Sequence, residues 1–286
     1  MAITIGSNIS SLQAQRRLAN SSEQLNSTFL KLSSGQRINK ASDDAAGLAI
    51  ADALKATIRV GQVAVRNAND GISSIAIADA SLADIGNVLS RLAELAEQSA
   101  NGTFSVGQRS ALQNEFTALG SEIERIAVTT EFNGVRLLSG NSTLVLQVGF
   151  DSASTSQIAF TGVQGTLAAL GLAQQNASAL TYSLNGVNLE EGASASRLAL
   201  DAVNRAVNSL ASTRGVLGAA ESRLRVAISN LSISRENLSA AESRIRDVDV
   251  ATEAAELTRL NILQQAGASV LAQANQAPSL ALSLLR

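Results

Sequence analysis

The residues best equipped for chemistry lie in "LSSGQRINKASDDAAGLAI", residues 32–50, where the adjacent carboxylates Asp43 and Asp44 follow Arg37 and Lys40. Paired carboxylates can hold a hard cation or move a proton. Neither task has help here, because the chain contains no histidine and no cysteine. That removes the commonest general base, the thiolate nucleophile and the usual zinc, copper and iron ligands. Carboxylate sites and Ser-Lys chemistry survive the exclusion. Two neighbouring acids without a third make a poor metal site, however. Ser42 or Asp43 suits a helix N-cap, with a carboxylate in the first turn favoured by the helix dipole. The stretch between Gly35 and Ser42 therefore reads as a joint between two helices, with Asp43 and Asp44 at the cap of the second, and no metal or cofactor is expected. Arg37 and Lys40 fall to a solvated or intersubunit surface.

The elements around that joint are helical. The chain is 45% apolar but only 2% aromatic, with one proline in 286 residues. Its apolar content is aliphatic and suits long packed helices. Over 5–32, Ile5, Leu12 and Ala19 recur at sevens, as do Leu18, Leu25 and Leu32. Gly35 then fits the position just past a helix end. A second helix starts near Asp43 or Asp44, with a seam of Ile58, Val65, Ile72, Ile75, Leu82 and Leu89. Gly102 and Gly107 bracket a break, and a third helix carries Leu112, Phe116, Leu119, Ile123 and Ile126. From about 134 to 172 the pattern changes to short β-hairpins, with Leu144, Leu146 and Val148 alternating and "QIAF" as a further strand. Turns and one more strand are expected over 173–195.

The strongest period follows. Val203, Leu210, Leu217, Leu224, Leu231, Leu238 and Ile245 fall at every seventh position, each trailed three residues later by a mostly small one. Large residues on one line and small ones on the other let backbones approach. A single helix would leave this stripe in water, so it requires partners from the second and third helices. A final helix over 251–276 presents Leu257, Leu260, Leu263, Val270 and Leu271, and Pro278 is expected to stop it. The fold class is mainly α: a long antiparallel helical bundle or coiled coil formed by both chain ends, with a small β-hairpin region mid-chain.

Net charge is −2, with no basic block, so nothing marks a nucleic-acid partner. No run approaches the roughly 18 apolar residues of a membrane span. The N-terminal "MAITIGSNISSLQAQ" shows no cleavable signal.

"KLSSGQRINKASDDAAGLAIADAL" resembles the signature of bacterial flagellin. So do "RNANDGISSIAIADASLADIGNVLSRLAELAEQSANGTFS", "QNEFTALGSEIERIAVTTEFNGVRLLSG" and the end, "NILQQAGASVLAQANQAPSLALSLLR". The resemblance covers roughly 1–172 and 196–286. It implies a structural subunit, not an enzyme, that polymerises into the extracellular filament. In such a subunit 1–43 and 251–286 form an inner-core coiled coil, and 44–172 with 173–250 form a rod-like helical domain. Residues 173–195 are all that remains of the variable outer region, making this a near-minimal form. Implied partners are further copies of the chain, the hook–filament junction and cap proteins, and an export chaperone at the C-terminal region. Export runs through the flagellar type III apparatus. The resemblance also implies recognition by the host Toll-like receptor 5 at Arg91, Leu95 and Glu115, although Ala93 stands where some relatives carry a basic residue. Read as residues alone, Leu95 is a core or packing position, and Arg91 and Glu115 are helix-surface charges. The hook–filament junction protein shares similar ends and is the alternative within this class. A soluble coiled-coil binder is the alternative outside it. A metallopeptidase insert is excluded, because H-E-x-x-H needs histidine.

The terminal arms pose an energetic problem. Ordering backbone costs roughly 1–2 kcal/mol per residue, and burying a large aliphatic side chain returns roughly 1.5–3 kcal/mol. The first 35 residues hold only nine Leu, Ile and Phe. Arms that are largely unordered alone and fold on assembly are therefore expected.

Overall fold

The computed structural model describes residues 7–140, 143–160, 163–175 and 177–284, with side chains as far as Gln276. Among the described residues, five α-helices and two hairpins follow one another, with a 3-10 turn at Ser154–Ser156: α1 (Ile9–Ser34), α2 (Ala45–Ala100), α3 (Val106–Thr129), β1 (Glu131–Phe132), β2 (Val135–Arg136), β3 (Leu144–Gln147), β4 (Gln157–Phe160), α4 (Leu189–Arg246) and α5 (Val250–Leu284). The chain forms two compact units. One is Met1–Ile58 with Glu236–Arg286, and the other is Arg59–Arg235.

In the second unit the heptad lines become a core. Ile75, Leu82 and Leu89 of α2, Phe116 and Ile123 of α3, and Val203, Leu210, Leu217 and Leu224 of α4 are all buried in one cluster. In the same unit β1 and β2 pair antiparallel, with Phe132 opposite Val135. Their two-residue turn has Asn133 at φ 50° and Gly134 at φ 76°, the left-handed pair that a tight hairpin needs. In the second hairpin Leu144 faces Phe160 and Leu146 faces Ile158. Its backbone is tied to α2 by Asn67 Nδ2, which donates to the Gln147 carbonyl at 3.1 Å.

The heptad position Ile5 lies outside the described residues. Other expectations are corrected. Over 173–195, no strand occurs among the described residues, and α4 begins there at Leu189. Gly107 already lies in α3, which starts with a capping box: Ser105 and Gln108 satisfy each other's backbone N–H. Helix α5 does not stop at Pro278 but runs on to Leu284. By length and composition alone, α2 is apolar enough to cross a membrane. That property does not need an unbroken apolar run, and core helices share it.

Candidate functional site: the terminal arms, their joint and the bundle seam

The first unit is built on α1 against α5. Helix α1 starts at Asn8, whose Oδ1 accepts from Ser11 N at 3.0 Å. It buries Ser11, Ala14 and Thr28, all small. On its outer side Ile9, Leu12, Phe29 and Leu30 are exposed. The line Leu18, Leu25 and Leu32 is half-buried. Opposite, Leu260 is buried, Leu257 and Leu271 are half-buried, and Leu263 and Val270 are exposed. An open groove between the helices is lined by Ala14, Arg17, Leu18, Gln24, Leu263 and Val270. The arms thus meet through small residues and leave much of their large aliphatic surface in solvent.

The helix interruptions between α1 and α2 and between α4 and α5 lie side by side. Gly35 takes the left-handed conformation, φ 70°, past the end of α1. Beyond it, Arg37 N donates to Arg246 O at 2.6 Å and Val248 N donates to Gly35 O at 3.0 Å. These bonds flank an antiparallel bridge between Gln36 and Asp247. Side chains reinforce it: Arg37 Nη2 donates to Ile245 O at 2.7 Å, and Arg246 Nε donates to Gln36 Oε1 at 3.0 Å. Arg246 also reaches Asp52, 3.3 Å away.

The two adjacent carboxylates have separate tasks here. The cap falls on Asp44, not on Ser42 or Asp43: Asp44 Oδ1 accepts from Gly47 N at 2.9 Å. Asp43 Oδ2 accepts from the backbone N–H of Asn39 and Lys40 at 3.0 and 2.9 Å. Those amides hold the Asp43 carboxyl below its ordinary pKa. Ser42 is exposed. Asp249 opens α5 in a similar way. It accepts from Thr252 Oγ1, Thr252 N and Ala251 N, and these bonds lower its pKa. Each acid is committed to backbone geometry. Among the described residues, no three His, Cys, Asp or Glu side chains gather as metal ligands.

Along the α4 seam Leu210, Leu217, Leu224 and Leu231 are buried and Leu238 is half-buried. On the α2–α3 surface Arg91 Nη2 and Glu115 Oε1 form an ion pair at 2.9 Å, with Glu94 also bonded to Arg91. Leu95 does not join them at the surface, being 1% exposed in the core.

Sequence reasoning misses Arg109, which is 1% exposed. Its Nε donates to Ser99 O at 2.9 Å, Nη2 to Asn101 O at 3.1 Å and Nη1 to Leu189 O at 2.6 Å. One guanidinium thereby satisfies carbonyls at the end of α2 and the start of α4. The available signal is its placement, since a cation early in α3 opposes the helix dipole and needs a compensating reason to be there.

Long helices meet along seams, the arms are left partly uncovered, and Asp43, Asp44 and Asp249 are spent on backbone amides. Comparison with known proteins gives the family. The model of the bacterial flagellin N-terminal helical region matches residues 5–143, and that of the C-terminal helical region matches 200–285. The flagellin of Halalkalibacterium halodurans is 42% identical over 283 residues, covering 99% of each chain. That of Bacillus subtilis is 40% identical over 304 residues, again covering 99% of each. A crystal structure of Bacillus cereus flagellin resembles 62% of this chain and 94% of that one, at TM-score 0.47 and 24% identity. The chain belongs to the bacterial flagellin family. It is a structural subunit of the extracellular flagellar filament, not an enzyme, and at 286 residues a short member.

Proposed function

We propose that α1 and α5 are the polymerisation elements of this subunit and complete their folding only when other copies cover them. The exposed faces of the arms carry this reading: Ile9, Leu12, Phe29 and Leu30 on α1, with Ile262, Leu263 and Val270 on α5, all lie in solvent. Neighbouring copies supply the missing burial, and an open helical array of copies is a filament. In functional terms 1–43 with 251–286 is the inner coiled coil, and 44–172 with 173–250 is the rod. Until assembly the C-terminal region is the segment an export chaperone covers, and export needs no cleavable signal peptide. The cap and hook–filament junction proteins meet the filament's two ends. For Toll-like receptor 5, the exposed Arg91–Glu115 pair is what this surface offers, with Leu95 acting from beneath by fixing the α2 backbone.

The test is electron microscopy of purified protein at rising concentration with filament seeds, beside a chain lacking 1–43 and 251–286. Long filaments from the full chain alone support the reading. If neither chain polymerises across salt and seeding conditions, the filament role gives way to that of a junction adaptor.

A further inference from the structure

Helix α5 continues through Pro278, which should be costly. A proline inside a helix gives no N–H to the carbonyl four residues earlier and crowds that carbonyl with its ring. The carbonyl concerned belongs to Ala274. It has another donor: Asn8 Nδ2 on the facing arm, at 2.8 Å. The same amide caps α1 through its Oδ1 and Ser11 N. One residue on, Ser11 Oγ donates to Asn275 Oδ1 at 2.7 Å. Ser11 is only 6% exposed, so this pair of bonds is shielded by the arms themselves.

We propose that Asn8 is a positioning residue for filament assembly: it replaces the hydrogen bond that Pro278 removes and so fixes the register of α1 on α5. Of the good N-cap residues only asparagine fits, because the task needs an acceptor and a donor on two separate atoms of one short side chain, as Oδ1 and Nδ2 provide. Serine would cap through its single oxygen and has no second polar atom to donate to Ala274. Aspartate would cap but present a second acceptor to that carbonyl. Proline is then part of the register mark, since it leaves one α5 carbonyl open to the partner arm.

The test rests on the filament role for its readout. The critical concentration for assembly is measured for the wild type, Asn8→Ser, Asn8→Asp, Pro278→Ala and both double variants. With Pro278 present, each Asn8 change should raise it about tenfold, the worth of one shielded hydrogen bond. With Pro278→Ala, the restored N–H occupies the Ala274 carbonyl, and the same changes should cost less than about twofold. A variant that fails to assemble with proline but assembles with alanine gives the same support. Equal losses in both backgrounds, or no loss for Asn8→Ser, overturn the proposal while wild-type filaments leave the filament role standing.

Discussion

Gly192, the fourth residue of α4, sits where a Cβ would lie 2.7 Å from Arg109 Nη1. Glycine in a helix interior ordinarily costs about 0.5–1 kcal/mol relative to alanine, so Gly→Ala there should stabilise. Here the added methyl would push the guanidinium off three carbonyls. Each such bond is worth about 1 kcal/mol net, and a buried carbonyl left unpaired costs more. Removing the guanidinium by Arg109→Met should therefore destabilise by about 3 kcal/mol, the relief of a desolvated charge offsetting part of a larger loss. Gly192→Ala alone should destabilise by about 1–2 kcal/mol, because the bonds are strained rather than deleted. In the Arg109→Met background the same Gly192→Ala change should turn stabilising by about 0.5 kcal/mol. The assay is urea unfolding followed by the fluorescence of Tyr182. It is the sole tyrosine in a chain without tryptophan, and it packs against the core of the Arg59–Arg235 unit. A Gly192→Ala effect of the same sign and size in both backgrounds would refute the reasoning.

Two further outcomes follow from the same structure. Asp43 and Asp249 have folded pKa values below the ordinary 3.8. Their contribution is complete above that value and is lost as pH falls through the lowered pKa. Filament dissociation followed by light scattering should be insensitive to these two groups from pH 7 to about 4 and sensitive below. The double variant Asp43→Asn, Asp249→Asn, which keeps oxygen acceptors without titrating, should show a shallower acid transition; an unchanged one argues against joint control. On α4, Leu217→Ala should destabilise the free chain by roughly 2–5 kcal/mol. Val226→Ala, at 70% exposure, should stay within about 0.5 kcal/mol. Both are read by urea unfolding, and similar costs would refute the assignment of the seam.

The seam was legible because it is written in period: Val203 to Leu224 must all face one direction on a helix, and the structure buries them. Gly35 was legible because its conformation restricts its type. The cap between α1 and α2 slid to Asp44 because Asp43 is drawn to the loop amides of Asn39 and Lys40, a competition sequence spacing does not rank. Pro278 misled because its cost is offset from the other end of the chain, at Asn8. Arg109 was invisible for a similar reason: its three acceptors come from α2, the following loop and α4. Backbone carbonyls are present at every position, so no residue type announces them.

The bridge at the joint joins Gln36 to the segment beginning at Arg246, 210 residues later. It therefore reports on completeness. A chain ending before Arg246 would retain every residue of the Arg59–Arg235 unit. Yet Gly35 O and Arg37 N would find no partner strand, and the left-handed turn after α1 would have nothing to hold it in place. A nascent or proteolysed subunit can thus possess its buried bundle and still lack the closed joint. Closure of the joint therefore needs both ends of the chain, because its two strands come from the segments around Gln36 and Asp247.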